Sequence, residues 1–340
     1  MATQELTYEE IRRNIQRKQF APIYFLQGEE PYFIDRLTDL LIENVLDDSE
    51  RDFNQTIVYG SETDIYAVMN AAKRFPMMAA RQLVVVKEAK NLKNMEELIH
   101  YVQSPQQATV LVVNYKYATL DGRKKLSGEI ARKGILFESK KIYENKIPAF
   151  IISYLQEREL SIDGKSAQIL TDFLGTNLSK LSNELDKLGI ALSESASKRI
   201  TPELIEQHIG ISKDFNNYEL QTAIASRDVL KANRIIEYFK HNSKNNPLIV
   251  SLTVLFNFFS NLMICHFETN KSDANLMSKL GLRFAFQFSD YQRAMKTYNA
   301  FKTMEIISQI RLCDAKAKGV DNPSTPDDEL LKELAYKIMH

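Results

Sequence analysis

One turn near the start of the chain has the layout of a phosphate-binding loop, and its residues argue against that use. The apolar run Ile23-Tyr24-Phe25-Leu26 ends in Gln27-Gly28, and a helical pattern follows over residues 31–46. A phosphate cradle at such a strand–turn–helix needs G-x-x-x-x-G-K-[ST]. Glycine-permitted backbone N–H groups wrap the phosphates, while the Lys and the hydroxyl meet phosphate and Mg²⁺. The turn reads Gly28-Glu29-Glu30-Pro31-Tyr32: one glycine, no lysine, and two carboxylates that would repel a triphosphate at a helix N-terminus. Gly164-Lys165-Ser166 copies the end of the motif, but its first glycine would fall on Glu159 and no apolar strand precedes it.

Other chemistry is sparse. His100, His208, His241, His266 and His340 are dispersed, without H-x-x-x-H or Cys–His spacing, so metal sites and histidine-based nucleophilic catalysis have no support. The pairs Glu29-Glu30, Asp47-Asp48 and Asp327-Asp328 read as solvated faces or helix-start charges. Cys265 and Cys313 lie in apolar helical context and read as buried free thiols, which fits a reducing cytoplasm. The expectation is a chain with no cofactor, no metal and no catalysis of its own.

Two segments stand out instead. In Phe75-Pro76-Met77-Met78-Ala79-Ala80-Arg81-Gln82, proline breaks a helix ending near Arg74. This leaves two large polarisable side chains at a loop tip beside the C-terminal region of a sheet, flanked by Lys73, Arg74 and Arg81. Such a tip can fill an apolar pocket on a partner, each side chain contributing roughly 1.5–3 kcal/mol if buried there. Periodicity alone equally allows Met77 and Met78 to fold back into the core. The second segment, residues 114–146, carries nine Lys and Arg against four acids, a local charge of +5. It reads as a solvated helix face or as a basic surface, with Arg123, Lys124, Lys125, Arg132 and Lys133 as its contact residues.

The elements that carry these segments alternate. Strands are predicted at 23–26, 53–58, 83–86, 109–113 and 135–137. A short amphipathic helix opened by the capping box Thr7-Tyr8-Glu9-Glu10 carries Ile11, Ile15 and, further on, Phe20, and helices follow at 31–46, 65–72 and 95–102. Short β-branched strands separated by helices imply a mostly parallel sheet covered on both faces. After Lys141 strand signals disappear. Helices are predicted at 147–158, 165–174, 178–188 and 202–208, with a polar loop at 193–198, and from Phe215 the pattern stays helical, with segments at 219–226, 229–242, 247–267, 274–280, 289–295 and 302–317. The fold class is α/β plus all-α, with domains at 1–140, 141–212 and 213–340.

An α/β domain followed by a small helical lid resembles the AAA+ ATPases, and by that likeness the third strand should end in metal-binding acids. It ends Val85-Val86-Lys87-Glu88, with Lys87 where a cation-binding Asp belongs. Asn114 falls where that fold places a γ-phosphate sensor, but it reads more simply as a strand-terminating turn residue.

Composition sets outer limits. The 340 residues hold 44 Lys and Arg against 44 Asp and Glu, so no global basic field draws the chain to nucleic acid. Met1-Ala2-Thr3-Gln4-Glu5 shows no signal-peptide pattern. Residues 245–267 lack any charge, yet polar interruptions at Ser251, Thr253, Asn257, Ser260 and Asn261, with Asn246 capping and Pro247 in the first turn, favour a buried helix over a membrane span.

Taken together, the segments resemble the delta subunit family of the bacterial DNA polymerase III clamp loader, nearly end to end. The matching landmarks are Pro22 through Tyr32, Asp52-Phe53-Asn54, Phe75 through Val86 and Leu120-Asp121-Gly122-Arg123-Lys124-Lys125-Leu126. Later come Asn183-Glu184-Leu185-Asp186-Lys187-Leu188, Phe215-Asn216-Asn217-Tyr218-Glu219-Leu220 and Asp314-Ala315-Lys316-Ala317-Lys318-Gly319. The resemblance implies an AAA+-like domain without a working nucleotide site, a lid, and a helical collar that joins a five-subunit ring. It also implies partners: the beta sliding clamp, the gamma/tau ATPase and delta-prime subunits, and DNA through the assembled complex, in the cytoplasm and away from membranes. Phe75, Pro76, Met77, Met78 and Arg81 would meet the clamp. The family usually carries a Leu-Phe pair, a small residue and Arg at the plug, and this chain has Met77-Met78 instead, which keeps the apolar character and removes the aromatic anchor. Two other readings of the residues stay open: an active AAA+ ATPase, and a DNA-binding helical protein using residues 114–146.

Overall fold

The structure is a computed structural model that describes residues 6–193, 197–212, 214–282, 285–322 and 324–340. It contains two compact units, the first through Ile142 and the second from Tyr143.

The first unit is a five-stranded sheet, order β2-β3-β4-β1-β5, with every pairing parallel. Its elements are α1 (Tyr8–Gln16), β1 (Ile23–Gly28), α2 (Pro31–Asn44), α3 (Arg51–Asn54), β2 (Gln55–Tyr59), α4 (Ile65–Lys73), β3 (Gln82–Lys87), α5 (Ile99–Val102), β4 (Thr109–Lys116), α6 (Lys125–Lys133) and β5 (Ile135–Ser139). Because side chains alternate along a strand, each strand feeds two cores. Tyr24, Leu26, Val85, Val110 and Val112 pack with Ile11 and Ile15 of α1 and Ile34, Leu37 and Leu41 of α2. Ile23, Phe25, Val84, Val86, Leu111 and Val113 pack on the other side with Val68 of α4, Tyr101 of α5 and Ile130 of α6. Burial on both faces is why these strands read as continuous apolar runs.

Several expectations shift locally. The capping box at Thr7 and Glu10 forms as predicted. The second strand begins at Gln55 and not Phe53, because a helical turn closes first, with the Glu50 carboxylate accepting the Asp47 N–H at 3.1 Å. The predicted 95–102 helix opens as a 3₁₀ turn, Met95–Leu98. Asn114 does not terminate a strand: β4 runs on to Lys116, and Asn114 is buried within it. The largest correction concerns the Met segment. Residues 74–81 lead from α4 into the start of β3, so in an all-parallel sheet they lie at its N-terminal edge, opposite to the Gly28 turn.

The second unit comprises α7 (Ile147–Gln156), β6 (Ser161–Ile162), α8 (Gly164–Leu174), α9 (Leu178–Ala191), β7 (Arg199–Ile200), α10 (Pro202–Ile209), α11 (Asn217–Ala225), α12 (Val229–His241), α13 (Leu248–Phe267), α14 (Asp273–Lys279), α15 (Ala285–Thr297), α16 (Ala300–Ala317) and α17 (Asp327–Met339). Strand structure therefore does not vanish after Lys141, since β6 and β7 form a two-residue parallel pair. Of the predicted loop at 193–198, residues 194–196 lie outside the described residues. α13 is long and apolar enough to cross a membrane, but its inner side, including Leu252, Leu255, Phe258, Phe259 and Leu262, forms the centre of a helical core. Ile249, Phe256 and Phe267 remain exposed on its outer side. Pro247 is the N-cap and not a first-turn residue, and Asn246 donates back to the Asn242 carbonyl at 3.1 Å instead of capping. Cys265 and Cys313 are buried free thiols, as expected, and burial pushes each up to about 11.

Within this unit Glu219 ties α8 to α11 and α12. Its buried carboxylate accepts from Lys165 at 2.6 Å and from Lys231. Burial raises the carboxyl, but the two lysines outweigh it and hold it below the ordinary range.

Candidate partner-docking site

Met77 and Met78 do not fold back. Phe75 is 78% exposed, Met77 62% and Met78 fully exposed. Pro76 ends the helical path, because its ring removes a donor and restricts the preceding residue. Met78 has φ +54°, the left-handed region that residues with a Cβ rarely enter.

The root of the tip is held by buried amides. Gln82 Nε2 donates to Thr109 Oγ1 at 2.7 Å and also to the Arg74 carbonyl, joining both ends of the loop. Asn54 Oδ1 accepts the Met77 N–H at 2.6 Å, and Asn54 Nδ2 donates to the Met77 carbonyl at 3.0 Å. Arg81, predicted to face the partner, is partly buried with its guanidinium 5.6 Å from the centre of the Phe20 ring, a cation–π distance. Lys73 and Arg74 are exposed beside the tip. The structure thus brings together Phe75, Pro76, Met77 and Met78 and sets Arg81 against Phe20. Sequence reasoning missed Asn54 as a contributor, and also Phe53, which is 72% exposed at the neighbouring residue. The Asp52-Phe53-Asn54 landmark was the available signal, but it carried no role.

At the opposite sheet edge, the turn that failed the phosphate-loop test is already filled by the chain. Gly28 has φ +125°, and a Cβ there would stand 2.2 Å from the Ser139 carbonyl oxygen, so only glycine fits against β5. The Glu30 carboxylate accepts the Tyr32 N–H at 3.1 Å and takes the N-terminus of α2, where a phosphate would otherwise bind. Burial raises the Glu30 carboxyl above its ordinary range. Gln27 Oε1 accepts the Leu120 N–H at 2.8 Å, and the Tyr117 N–H donates to the Gly28 carbonyl at 2.7 Å, closing the turn over. Asn114 Oδ1 accepts from Thr38 Oγ1 of α2 at 2.9 Å, and its Nδ2 has no partner among the described residues.

The second copy of that motif is equally occupied: Asp163 caps α8 by accepting the Ser166 N–H at 2.8 Å, and Lys165 pairs with Glu219. Among the described residues, no group of three or more His, Cys, Asp or Glu side chains could hold a metal.

The basic segment is partly neutralised in place. Arg123 grips Asp121 through Nε at 3.0 Å and Nη2 at 3.1 Å, Lys124 meets Glu96 at 2.6 Å, and Arg132 meets Glu129 at 2.6 Å. Lys125 and Lys133 are exposed and make no ion pair among the described residues.

Comparison with known proteins agrees with this architecture. Residues 24–140, which hold the sheet, the turn and the Met tip, match the family model described as DNA polymerase III, delta subunit. The chain is 25% identical over 256 residues to the DNA polymerase III subunit delta of Bacillus subtilis, covering 72% of each chain. It is 21% identical over 231 residues to a probable DNA polymerase III subunit delta of Aquifex aeolicus, covering 63% of each. Its fold is similar to the solved structure of a Bacillus subtilis DNA clamp loader delta protein, with TM-score 0.56 and 21% identity over 98% of this chain and 99% of that one. The family match across the first unit and the sequence relationship extending through most of the chain make it similar to the delta subunits of DNA polymerase III.

Proposed function

We propose that this chain binds and opens the beta sliding clamp for loading onto primed DNA during replication, and that it hydrolyses no ATP itself. The observation that carries the reading is the apolar tip on which Phe75, Met77 and Met78 are exposed around a half-buried Pro76, rooted in the sheet by buried amides. A tip of this kind inserts into a pocket on a partner, and two methionine side chains suit an apolar one. The closed turn, with Glu30 at the α2 N-terminus, supports a subunit that leaves nucleotide chemistry to its partners.

In this reading the first unit grips one face of the clamp and favours a curvature that the closed ring does not adopt. A ligand shifts such an equilibrium only by its differential affinity for the open state. Helices of residues 141–212 act as the lid, and those of residues 213–340 as the collar that assembles with the gamma/tau and delta-prime subunits. Exposed Ile249, Phe256 and Phe267 on α13 and Phe301 and Met304 on α16 offer apolar surface for that assembly. DNA is met through the assembled complex, in the cytoplasm.

Co-elution with the cognate sliding clamp tests the reading, comparing the unmodified chain with the double change Met77→Asp and Met78→Asp. Binding by the first and none by the second is the expected result. Equal binding by both moves the contact elsewhere.

A further inference from the structure

We infer that Asn54 is a positioning residue for the docking tip: its side chain brackets the backbone of Met77 and presets the path on which Met77 and Met78 meet the clamp. The inference rests on the docking reading above. Asn54 is 3% exposed, at the end of α3, on the same sheet edge as the tip. Its Oδ1 accepts the Met77 N–H, while the two hydrogens of Nδ2 go to the Met77 carbonyl at 3.0 Å and the Glu50 carbonyl at 3.1 Å.

A primary amide can offer one residue's N–H an acceptor and its C=O a donor side by side, as a paired strand does. Asp at this position would keep only the acceptor, and an apolar residue would keep neither. The bracketed residue sits between two others whose backbones are also fixed. The Pro76 ring restricts φ on one side, and on the other Met78 occupies a left-handed conformation that is strained for a residue with a Cβ. Such a conformation persists where its surroundings determine it. The bracket on Met77, one residue earlier, supplies that determination although the side chain of Met78 touches no core.

The functional consequence is preorganisation. A free apolar loop must be ordered when it docks, and that ordering subtracts from affinity. Here the ordering is completed on folding, by a residue brought next to the tip from 23 positions earlier in the sequence. Asn54 stays buried beneath the tip and need not touch the clamp.

The test uses the full-length chain and the cognate sliding clamp, with amide hydrogen exchange measured alongside binding. In the unmodified protein the Met77 amide should exchange more slowly than those of Ala79 and Ala80; equally fast exchange overturns the inference outright. Asn54→Ala is expected to weaken clamp binding by about 5- to 30-fold and to speed exchange at Met77, with the cooperative thermal transition kept. Asn54→Asp should fall between the two, and it carries the comparison if the alanine variant fails to fold. Weaker binding without faster Met77 exchange also overturns the bracket, because removing the Asn54 acceptor must free the Met77 N–H if that bond protects it. Met78→Asp separates the two claims. If it abolishes binding while Asn54→Ala binds like the unmodified chain, the positioning role fails and the docking reading stands. If Met78→Asp itself binds normally, the docking reading fails.

Discussion

Gln82 and Thr109 are joined side chain to side chain, Nε2 to Oγ1 at 2.7 Å, where the Met-bearing loop enters β3. Both are buried, and Thr109 extends the link by donating to the Ala72 carbonyl at 2.8 Å in the last turn of α4. The entry and exit of the loop are therefore fastened to the central strand β4, on either side of the stretch that Asn54 brackets.

Changes at that end should separate binding from folding. Met77→Ala and Met78→Ala are each expected to weaken clamp binding by about 5- to 150-fold, the equivalent of ~1–3 kcal/mol. Neither should lower the thermal midpoint, since neither side chain belongs to the core. Titration calorimetry and a thermal melt on the same samples check both halves. A large drop in melting temperature would show that the side chains pack in solution.

The turn at the other end of the sheet gives a prediction about nucleotide. The unmodified chain should show no saturable ATP binding by equilibrium dialysis, because Glu30 fills the helix N-terminus. Removing the cap with Glu30→Ala should cost about 1 kcal/mol of stability in denaturant and still confer no affinity for ATP. Saturable binding by the unmodified chain would favour the active ATPase reading.

Much of this architecture was legible in the sequence, for physical reasons specific to each element. Strands such as Val110-Leu111-Val112-Val113 announce themselves because both faces are buried. Pro76 exposed the break that makes the tip. The Asn54 bracket had no such signal, since an amide reaching a backbone 23 residues away leaves no period to read. Glu30 was legible as a helix-start charge but not as a buried side-chain cap, glutamate being an uncommon choice for that position. Phe53 looked like strand on type alone, but the Asp47–Glu50 turn overrode it. Placing the tip at the wrong end of the sheet was a different kind of miss. The order helix, loop, strand already puts such a loop at the start of its strand.

The charge pattern of residues 114–146 bears on nucleic acid. With Arg123, Lys124 and Arg132 each holding a carboxylate, the isolated chain should bind duplex DNA weakly. The double change Lys125→Glu and Lys133→Glu should alter that binding by less than about tenfold in fluorescence anisotropy at physiological salt. Tight, steeply salt-dependent binding that the double change abolishes would support the DNA-binding reading instead.

Asp172 on α8 should make stability depend on pH. Burial pushes its carboxyl up to about 7, Glu144 adds in the same direction, and a hydrogen bond from Gln168 at 2.8 Å only partly opposes them. The folded chain thus keeps a proton that the unfolded chain gives up near the ordinary carboxylate range. The resulting loss of stability begins as pH rises past that range and is complete above about 7. Asp172→Asn removes this cost, so its advantage in denaturant titrations should grow by roughly 1–3 kcal/mol between pH 5 and pH 8. An advantage that is the same at both values would show that Asp172 ionises freely in the native state.

Because every strand of the sheet runs the same way, the Met tip and the Gly28 turn occupy its two ends, about 20 Å apart at ~3.3 Å per strand residue. A dye on the exposed Glu29 position would therefore sit clear of anything docked at the tip and still report it by energy transfer. The same spacing lets two neighbours hold the slab at once without competing for surface.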